Sequence, residues 1–156
     1  MMNRLIIFIA TGFYSGYGRP FSGTWGTIPA WLIAFFLIKG NQPILLTVTI
    51  AVFFISVWSS KTAEELFSHD DKRIVIDEWL GMFVTLLLIP PSLTNYIIAF
   101  IAFRAFDVVK IPPAAQCEKL PHGWGITMDD LFAGIYANIF TQIIIRVMNS
   151  YSGNNL

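Results

Sequence analysis

Asp70, Asp77 and Glu78 share one short stretch of this chain, Arg104, Asp107 and Lys110 recur every third residue in a second, and Asp129 and Asp130 are adjacent in a third. Asp70 and Asp77 are seven apart, so on a continuous helix they share a face. Carboxylates held close together repel unless a cation neutralises them, and hard oxygen donors select magnesium or a similar ion. The Asp129–Asp130 pair, placed before an apolar segment, can complete such a metal site. Arg104, Asp107 and Lys110 fall within about 120° of one another on a helix. Arginine and lysine so placed can hold a phosphate. Upstream, the stretch from Gly12 to Thr27 carries five glycines. Glycine lets a backbone approach a ligand closely, and this stretch runs into a helix start, where free N–H groups favour an anion. It matches neither the P-loop nor the dinucleotide fingerprint.

Each stretch also has a purely structural reading. Thr27 reads as a helix N-cap with Pro29 in the first turn. Ser68 with Asp71, and Thr127 with Asp130, read as capping boxes. Arg104 and Asp107 read as an i,i+3 ion pair, with Lys110 extending its ammonium to the membrane surface. None of these readings accounts for Asp77 and Glu78 set directly against an apolar helix, or for the second aspartate at Asp129.

The elements that must position these groups are apolar. The chain has 156 residues, with 55% hydrophobic and only 13% charged, about half the usual charged share. Its length predicts one domain spanning residues 1–156. So much apolar surface excludes disorder. Ten basic residues balance ten acidic ones, which argues against a nucleic-acid partner. A membrane or membrane-surface protein is the first reading, with an unusually apolar soluble helical bundle as the alternative. Cys117 is the lone cysteine, so neither an intrachain disulfide nor a cysteine zinc site is available, and it reads as a packing residue. Leu5 to Ala10 is shorter than a signal-peptide core of roughly 7–15 residues, and no cleaved signal is predicted.

Apolar blocks run over residues 28–38, 44–58, 79–89, 96–103 and 131–148. They lack polar alternation, so they read as α-helices. The predicted fold class is an all-α integral membrane bundle of short helices with a polar site on its cytoplasmic face. Pairing the first two blocks as one hairpin and the next two as another puts residues 1–27, 61–78 and 104–130 on one side of the bilayer. That side collects Arg4, Arg19, Lys61, Lys72, Arg73, Arg104, Lys110 and Lys119, and the other keeps Lys39 and Arg146. The excess of basic residues makes the first side cytoplasmic.

Taken in order, four motifs resemble the phosphatidylglycerophosphatase A family. They are Gly23-Thr24-Trp25-Gly26-Thr27; His69-Asp70 with Ile74-Val75-Ile76-Asp77-Glu78-Trp79-Leu80-Gly81; Phe103-Arg104 with Asp107 and Lys110; and Gly123-Trp124-Gly125-Ile126 with Asp129-Asp130 and Ala133-Gly134. The chain departs from the family pattern at Ser22, where proline is usual, and at Ile111-Pro112-Pro113-Ala114. His122 stands where a glycine is frequent and is not counted as catalytic. The resemblance implies an all-helical, magnesium-dependent lipid phosphatase of a bacterial inner membrane, multi-pass, converting phosphatidylglycerophosphate and water to phosphatidylglycerol and phosphate.

On that resemblance, Asp70, Asp77, Asp129 and Asp130 are the expected Mg2+ ligands, with Glu78 as a further ligand or base. Arg104 and Lys110 are expected to pair with the phosphate, and Asp107 to orient Arg104 or join the metal shell. Gly23, Thr24, Gly26 and Thr27 are expected to cradle the phosphate or the glycerol. The expected partners are the bilayer and a membrane phospholipid substrate; oligomeric state is left open. Two rival classes are a transferase acting on CDP-activated lipids, whose D-G-x-x-A-R pattern is missing, and a non-enzymatic membrane transport or assembly protein. The second would bury carboxylates along its helices rather than at their ends.

Overall fold

A computed structural model describes residues 2–67, 71–117, 119–121 and 123–153. The architecture is all-helical, as the apolar blocks predict. Helix α1 (Met2–Ala10) leads through a short 3-10 turn (Ser15–Tyr17) into α2 (Ser22–Leu32), which continues as a π-helical segment (Ile33–Ile38). There follow α3 (Gln42–Leu66), α4 (Ile76–Leu86), α5 (Leu93–Val109), the single turn α6 (Ala114–Cys117) and α7 (Trp124–Gly153).

Helix α4 is the centre of the bundle. Its sequence, Ile-Asp-Glu-Trp-Leu-Gly-Met-Phe-Val-Thr-Leu, has no polar stripe beyond its first turn, and every residue in it is buried. A helix that is apolar all round must be covered on all sides, and α2, α3, α5 and α7 cover this one. The contact with α7 is backbone-close. A Cβ on Gly134 would meet the Gly81 carbonyl oxygen at 2.5 Å, and one on Gly81 would meet the Asp130 carbonyl oxygen at 2.8 Å. Asn138 of α7 donates to the carbonyls of Thr85 (2.8 Å) and Leu87 (2.6 Å). It thereby satisfies acceptors that the end of a buried helix would otherwise leave orphaned.

The hairpin parity inferred from the sequence holds. Thr27 in the N-terminal half of α2 meets Glu78 at the start of α4 (3.0 Å). Lys110 at the end of α5 meets Asp129 near the start of α7 (2.9 Å). The Gly123 N–H just before α7 donates to Glu64 at the end of α3 (2.8 Å). Five helix ends therefore meet at one pole. At the other, the Leu88 N–H donates to Gln42 (2.9 Å) and Gly40 lies against Pro91.

Several local expectations are corrected. The helices are not uniformly short: α3 has 25 residues and α7 has 30, and both are long and apolar enough to cross a membrane. Helices α2 and α7 begin at Ser22 and Trp124, so Thr27 and Thr127 are interior residues rather than caps. The hydroxyl of each finds a partner on another helix, Glu78 for Thr27 and Ser56 (2.8 Å) for Thr127. Residues 71–75 are not helical, so no continuous helix joins Asp70 to Asp77. Asp71 caps no helix; its carboxylate closes a turn by accepting from the Arg73 N–H (3.0 Å). Ser68, expected as a cap, and Asp70, expected as a metal ligand, lie outside the described residues.

Candidate active site

The pole where the five helix ends meet holds a cavity of about 340 Å³. Asp71, Asp77, Glu78, Asp107, Asp129 and Asp130 line it together with Lys72, Arg104 and Lys110. Residues more than fifty positions apart are thus brought to one opening, through the chain reversals at the far pole.

Helix α4 delivers Asp77 and Glu78 from its first turn, where the unpaired N–H groups of the helix start favour negative charge. Glu78 is held from two sides. Its Oε2 lies 3.0 Å from the Thr27 hydroxyl and 3.5 Å from Arg104 Nη1. Arg104 also donates to Thr27 Oγ1 (3.3 Å) and pairs with Asp107 Oδ2 (2.9 Å) one turn along α5. Thr27, Glu78, Arg104 and Asp107 therefore form one connected network across three helices. Lys110 ends α5 in the left-handed conformation, with φ of 47°. Its Nζ reaches Asp129 Oδ2 at 2.9 Å. Asp129 Oδ1 accepts from the Asp130 N–H (2.9 Å).

Two carboxylate oxygens of the cavity stand apart. Asp77 Oδ1 and Asp130 Oδ2 are buried and have no hydrogen-bond partner. An unpaired buried carboxylate is among the most costly groups a fold can carry. Nearly all others persist by pairing or by binding a metal. Hard, anionic oxygen donors in this number fit a divalent cation such as magnesium. Among the described residues, no three His, Cys, Asp or Glu side chains are drawn tightly enough together to hold an ion as they stand.

The glycine motif behaves differently from the phosphate cradle expected of it. A Cβ on Gly23 would meet the Arg104 guanidinium and Glu78 Oε1, and one on Gly26 would meet Glu78 Oε2 at 2.8 Å and Val75 Cβ at 2.5 Å. The two glycines let α2 press against Arg104, Glu78 and Val75. Gly23 reaches the pocket wall, whereas Gly26 and Thr27 are buried behind Glu78. Thr24 lies one residue further round the helix than Gly23 and faces away. It lines an apolar groove with Ile28, Trp31, Leu32, Ile97 and Phe100. Of the expected substrate-binding residues, Gly23, Arg104 and Lys110 line the cavity, and Thr24, Gly26 and Thr27 do not.

The sequence reading missed Ser22, Asp71 and Lys72, which also line the cavity. Ser22 carried a signal, since it stands where the resembled family usually has proline. Lys72 sits in the charged run Asp71-Lys72-Arg73, which reads by default as a solvated surface.

Residues 8–145 match the family model described as Phosphatidylglycerophosphatase A. The chain is 37% identical over 135 residues to the Phosphatidylglycerophosphatase A of Haemophilus influenzae, covering 84% of this chain and 83% of that protein. It is 33% identical over 134 residues to that of Escherichia coli, covering 81% of this chain and 76% of that protein. It is also 33% identical over 147 residues to a Bacteroides thetaiotaomicron protein provisionally named a phosphatidylinositol-3-phosphatase, covering 89% and 92% of the two chains. No solved structure matches the chain significantly.

Proposed function

This chain belongs to the phosphatidylglycerophosphatase A family, and from that premise we propose that its acidic pocket hydrolyses the terminal phosphate monoester of phosphatidylglycerophosphate, releasing phosphatidylglycerol and inorganic phosphate. The observation that carries the reading is the joint lining of one small cavity by Asp77, Glu78, Asp129 and Asp130 with Arg104 and Lys110. Acids alone would repel a phosphate dianion. Acids that hold a cation, flanked by fixed guanidinium and ammonium groups, attract it.

Asp77 and Asp130, with Asp129 beside them, are the residues that would hold magnesium. When bound, the ion supplies Lewis acidity to the phosphoryl oxygens and makes water more acidic. The chain's own groups do the rest. Arg104, fixed by Asp107, offers its remaining N–H donors to the phosphate in a planar fork. Lys110 offsets the charge that builds on the phosphoryl oxygens as the ester bond breaks. Glu78, aimed by Thr27 and Arg104, takes the proton of the water that attacks phosphorus. The displaced oxygen stays with the glycerol and picks up a proton to become the hydroxyl of phosphatidylglycerol.

The placement suits a lipid substrate. Helices α3 and α7 can cross a bilayer, while the carboxylates lie toward helix ends. That spares them the roughly 2.5–3.5 kcal/mol that an acid at mid-membrane costs on insertion scales. We infer a multi-pass protein of the bacterial inner membrane with this pole toward the cytoplasm. Arg19, Lys61, Lys72, Arg73, Arg104, Lys110 and Lys119 lie at or beside the pole, against Lys39 and Arg146 far from it. This asymmetry is the one that sets orientation.

Phosphate release by the purified chain in detergent, with magnesium and then with EDTA, tests the function. Phosphatidylglycerophosphate is compared with phosphatidate and, because of the Bacteroides relative, with phosphatidylinositol 3-phosphate. Magnesium-dependent release fastest from phosphatidylglycerophosphate is expected. Faster release from the inositol lipid would reassign the substrate, and no metal-dependent release from any of the three would overturn the reading.

A further inference from the structure

Beside the acidic pocket lies a second and larger cavity, of about 680 Å³. Its wall is the Gly16–Gly18 turn with Arg19 and Phe21 on one side, and Asp71, Lys72 and Arg73 on the other. It shares Ser22, Asp71 and Lys72 with the acidic pocket, so the two cavities are neighbours with part of their lining in common. Their charges are opposite. The acidic pocket sets six carboxylates against three cations, and the second cavity sets three cations against one carboxylate.

The cations of the second cavity are not equivalent. Arg73 is committed to the fold. It grips Asp71 through Nε to Oδ1 (2.8 Å) and Nη2 to Oδ2 (2.7 Å), a pairing that raises its pKa. Its guanidinium also lies 3.9 Å from the centre of the Phe67 ring. Arg19 and Lys72 are exposed and enter none of the ion pairs found among the described residues. The wall that carries Arg19 is rigidly seated. Gly16 packs so close to the Arg73 carbonyl that a Cβ would clash, and the Val75 N–H donates to the Ala10 carbonyl (2.9 Å). The rim is apolar, with Tyr17 and Phe21 46% and 77% exposed. Exposed aromatic rings are favoured at the level of lipid headgroups.

We propose that this cavity binds the phosphodiester of the lipid substrate, with Arg19 and Lys72 as its recognition residues. The proposal rests on the acidic pocket being the monoester site. The substrate is a linear arrangement: terminal monoester, glycerol, phosphodiester, acyl chains. The protein offers the matching order of acidic pocket, shared wall at Ser22 and Lys72, basic cavity, and exposed aromatic rim. The diester is a monoanion that needs no metal, and two cations that enter no ion pair among the described residues suit it. Recognition of this second phosphate separates the substrate from lipids that carry a lone monoester.

The test uses the full chain in detergent with magnesium, comparing wild type with Lys72→Gln, with the Arg19→Gln/Lys72→Gln pair, and with Lys72→Arg. Phosphatidylglycerol carries the diester alone and diacylglycerol carries the same anchor without phosphate. Binding of both, followed by tryptophan fluorescence, is independent of turnover. The double variant is expected to lose about tenfold in affinity for phosphatidylglycerol, with no change for diacylglycerol, and Lys72→Arg to retain most of it. In turnover, KM for phosphatidylglycerophosphate rises by a similar factor and by more than kcat falls, while inhibition by inorganic phosphate, which enters the acidic pocket and there meets Lys72 but not Arg19, weakens less than phosphatidylglycerol binding does. Equal weakening of both phosphatidylglycerol and inorganic phosphate would show a general attraction of anions and overturn the subsite, as would unchanged phosphatidylglycerol binding. Absence of wild-type turnover with normal phosphatidylglycerol discrimination would instead count against the monoester reading alone.

Discussion

The two poles of this bundle are built with the same devices and put them to opposite uses. Both have a glycine against which a neighbour packs too closely for a Cβ, and both have a residue in the left-handed region that ends a helix. At the far pole Gly40, with φ of 75°, lies against the Pro91 ring, and Lys39, with φ of 52°, ends the π-helical segment. The cavity there, about 480 Å³ lined by Gln42, Pro43, Leu46, Leu87 and Leu88, is almost wholly apolar. At the acidic pole Gly23 lies against Arg104 and Glu78, and Lys110, with φ of 47°, ends α5. The difference is what each glycine touches. Gly40 meets a rigid ring, so its smallness serves the fold. Gly23 meets the far ends of two long side chains, so its smallness serves their aim.

That comparison can be broken or sharpened by substitution. The largest effect is expected from Asp77→Asn, which removes charge from a buried oxygen that has no protein partner. Turnover should fall by at least about 10²–10³-fold, the range for losing one preorganised electrostatic group, with the protein still inserted and EDTA adding little further loss. Activity within a few-fold of wild type would remove Asp77 from the machinery. Gly23→Ala comes next. The added methyl must displace Arg104 and Glu78, and kcat should drop by up to about a hundredfold, the penalty for misplacing reacting groups by an ångström. Because those neighbours can move, the melting temperature in detergent should change little.

Arg104→Lys keeps the charge and loses the planar group that holds Thr27 and Asp107 through Nη1 while leaving its other nitrogens for the phosphate, so kcat/KM should fall about tenfold. Gly40→Ala should do the reverse of Gly23→Ala. It forces a side chain into a positive-φ site against Pro91, and should destabilise by roughly 1–3 kcal/mol with kcat unchanged. A loss of kcat at Gly40 without loss of stability would mean that the two poles are mechanically coupled. The smallest effect is expected for Asn41→Ala, which removes the acceptor for the Ile44 N–H (3.2 Å) at the start of α3. It should lower stability by about 1 kcal/mol or less and leave kinetics untouched.

Much of the site was legible in the sequence because charge is scarce. With so few charged residues, those found between apolar blocks had to gather where the blocks end, and counting blocks assigned them to one side. Block order and charge alone place Asp77, Glu78, Arg104, Asp107, Lys110, Asp129 and Asp130 at one end of the bundle, where they line one cavity. Local pattern misleads where a side chain has two sets of possible partners. Thr27 and Thr127 have the spacing of caps, but each sits inside a longer helix and bonds across to another. Asp71 has the spacing of a capping box, but it closes a turn with Arg73. Local pattern registers the partners available along the chain, and these three residues took partners that pattern does not include or does not favour.

Composition and the order of apolar blocks determined that the chain is a helical bundle, that it favours a membrane, and which polar residues share an end. Each of those follows from the cost of exposing apolar surface or burying charge, which depends on residue type and sequence distance alone. Tertiary structure decided what each polar residue does. It placed Gly26 and Thr27 behind Glu78 instead of around a phosphate, turned Thr24 to an apolar groove, and left Asp77 and Asp130 with unpartnered oxygens. It also set Lys72 between an acidic and a basic cavity. Those outcomes depend on which helix packs against which face and how closely, and that closeness is set by contacts such as Gly81 against Gly134, between residues far apart in the chain.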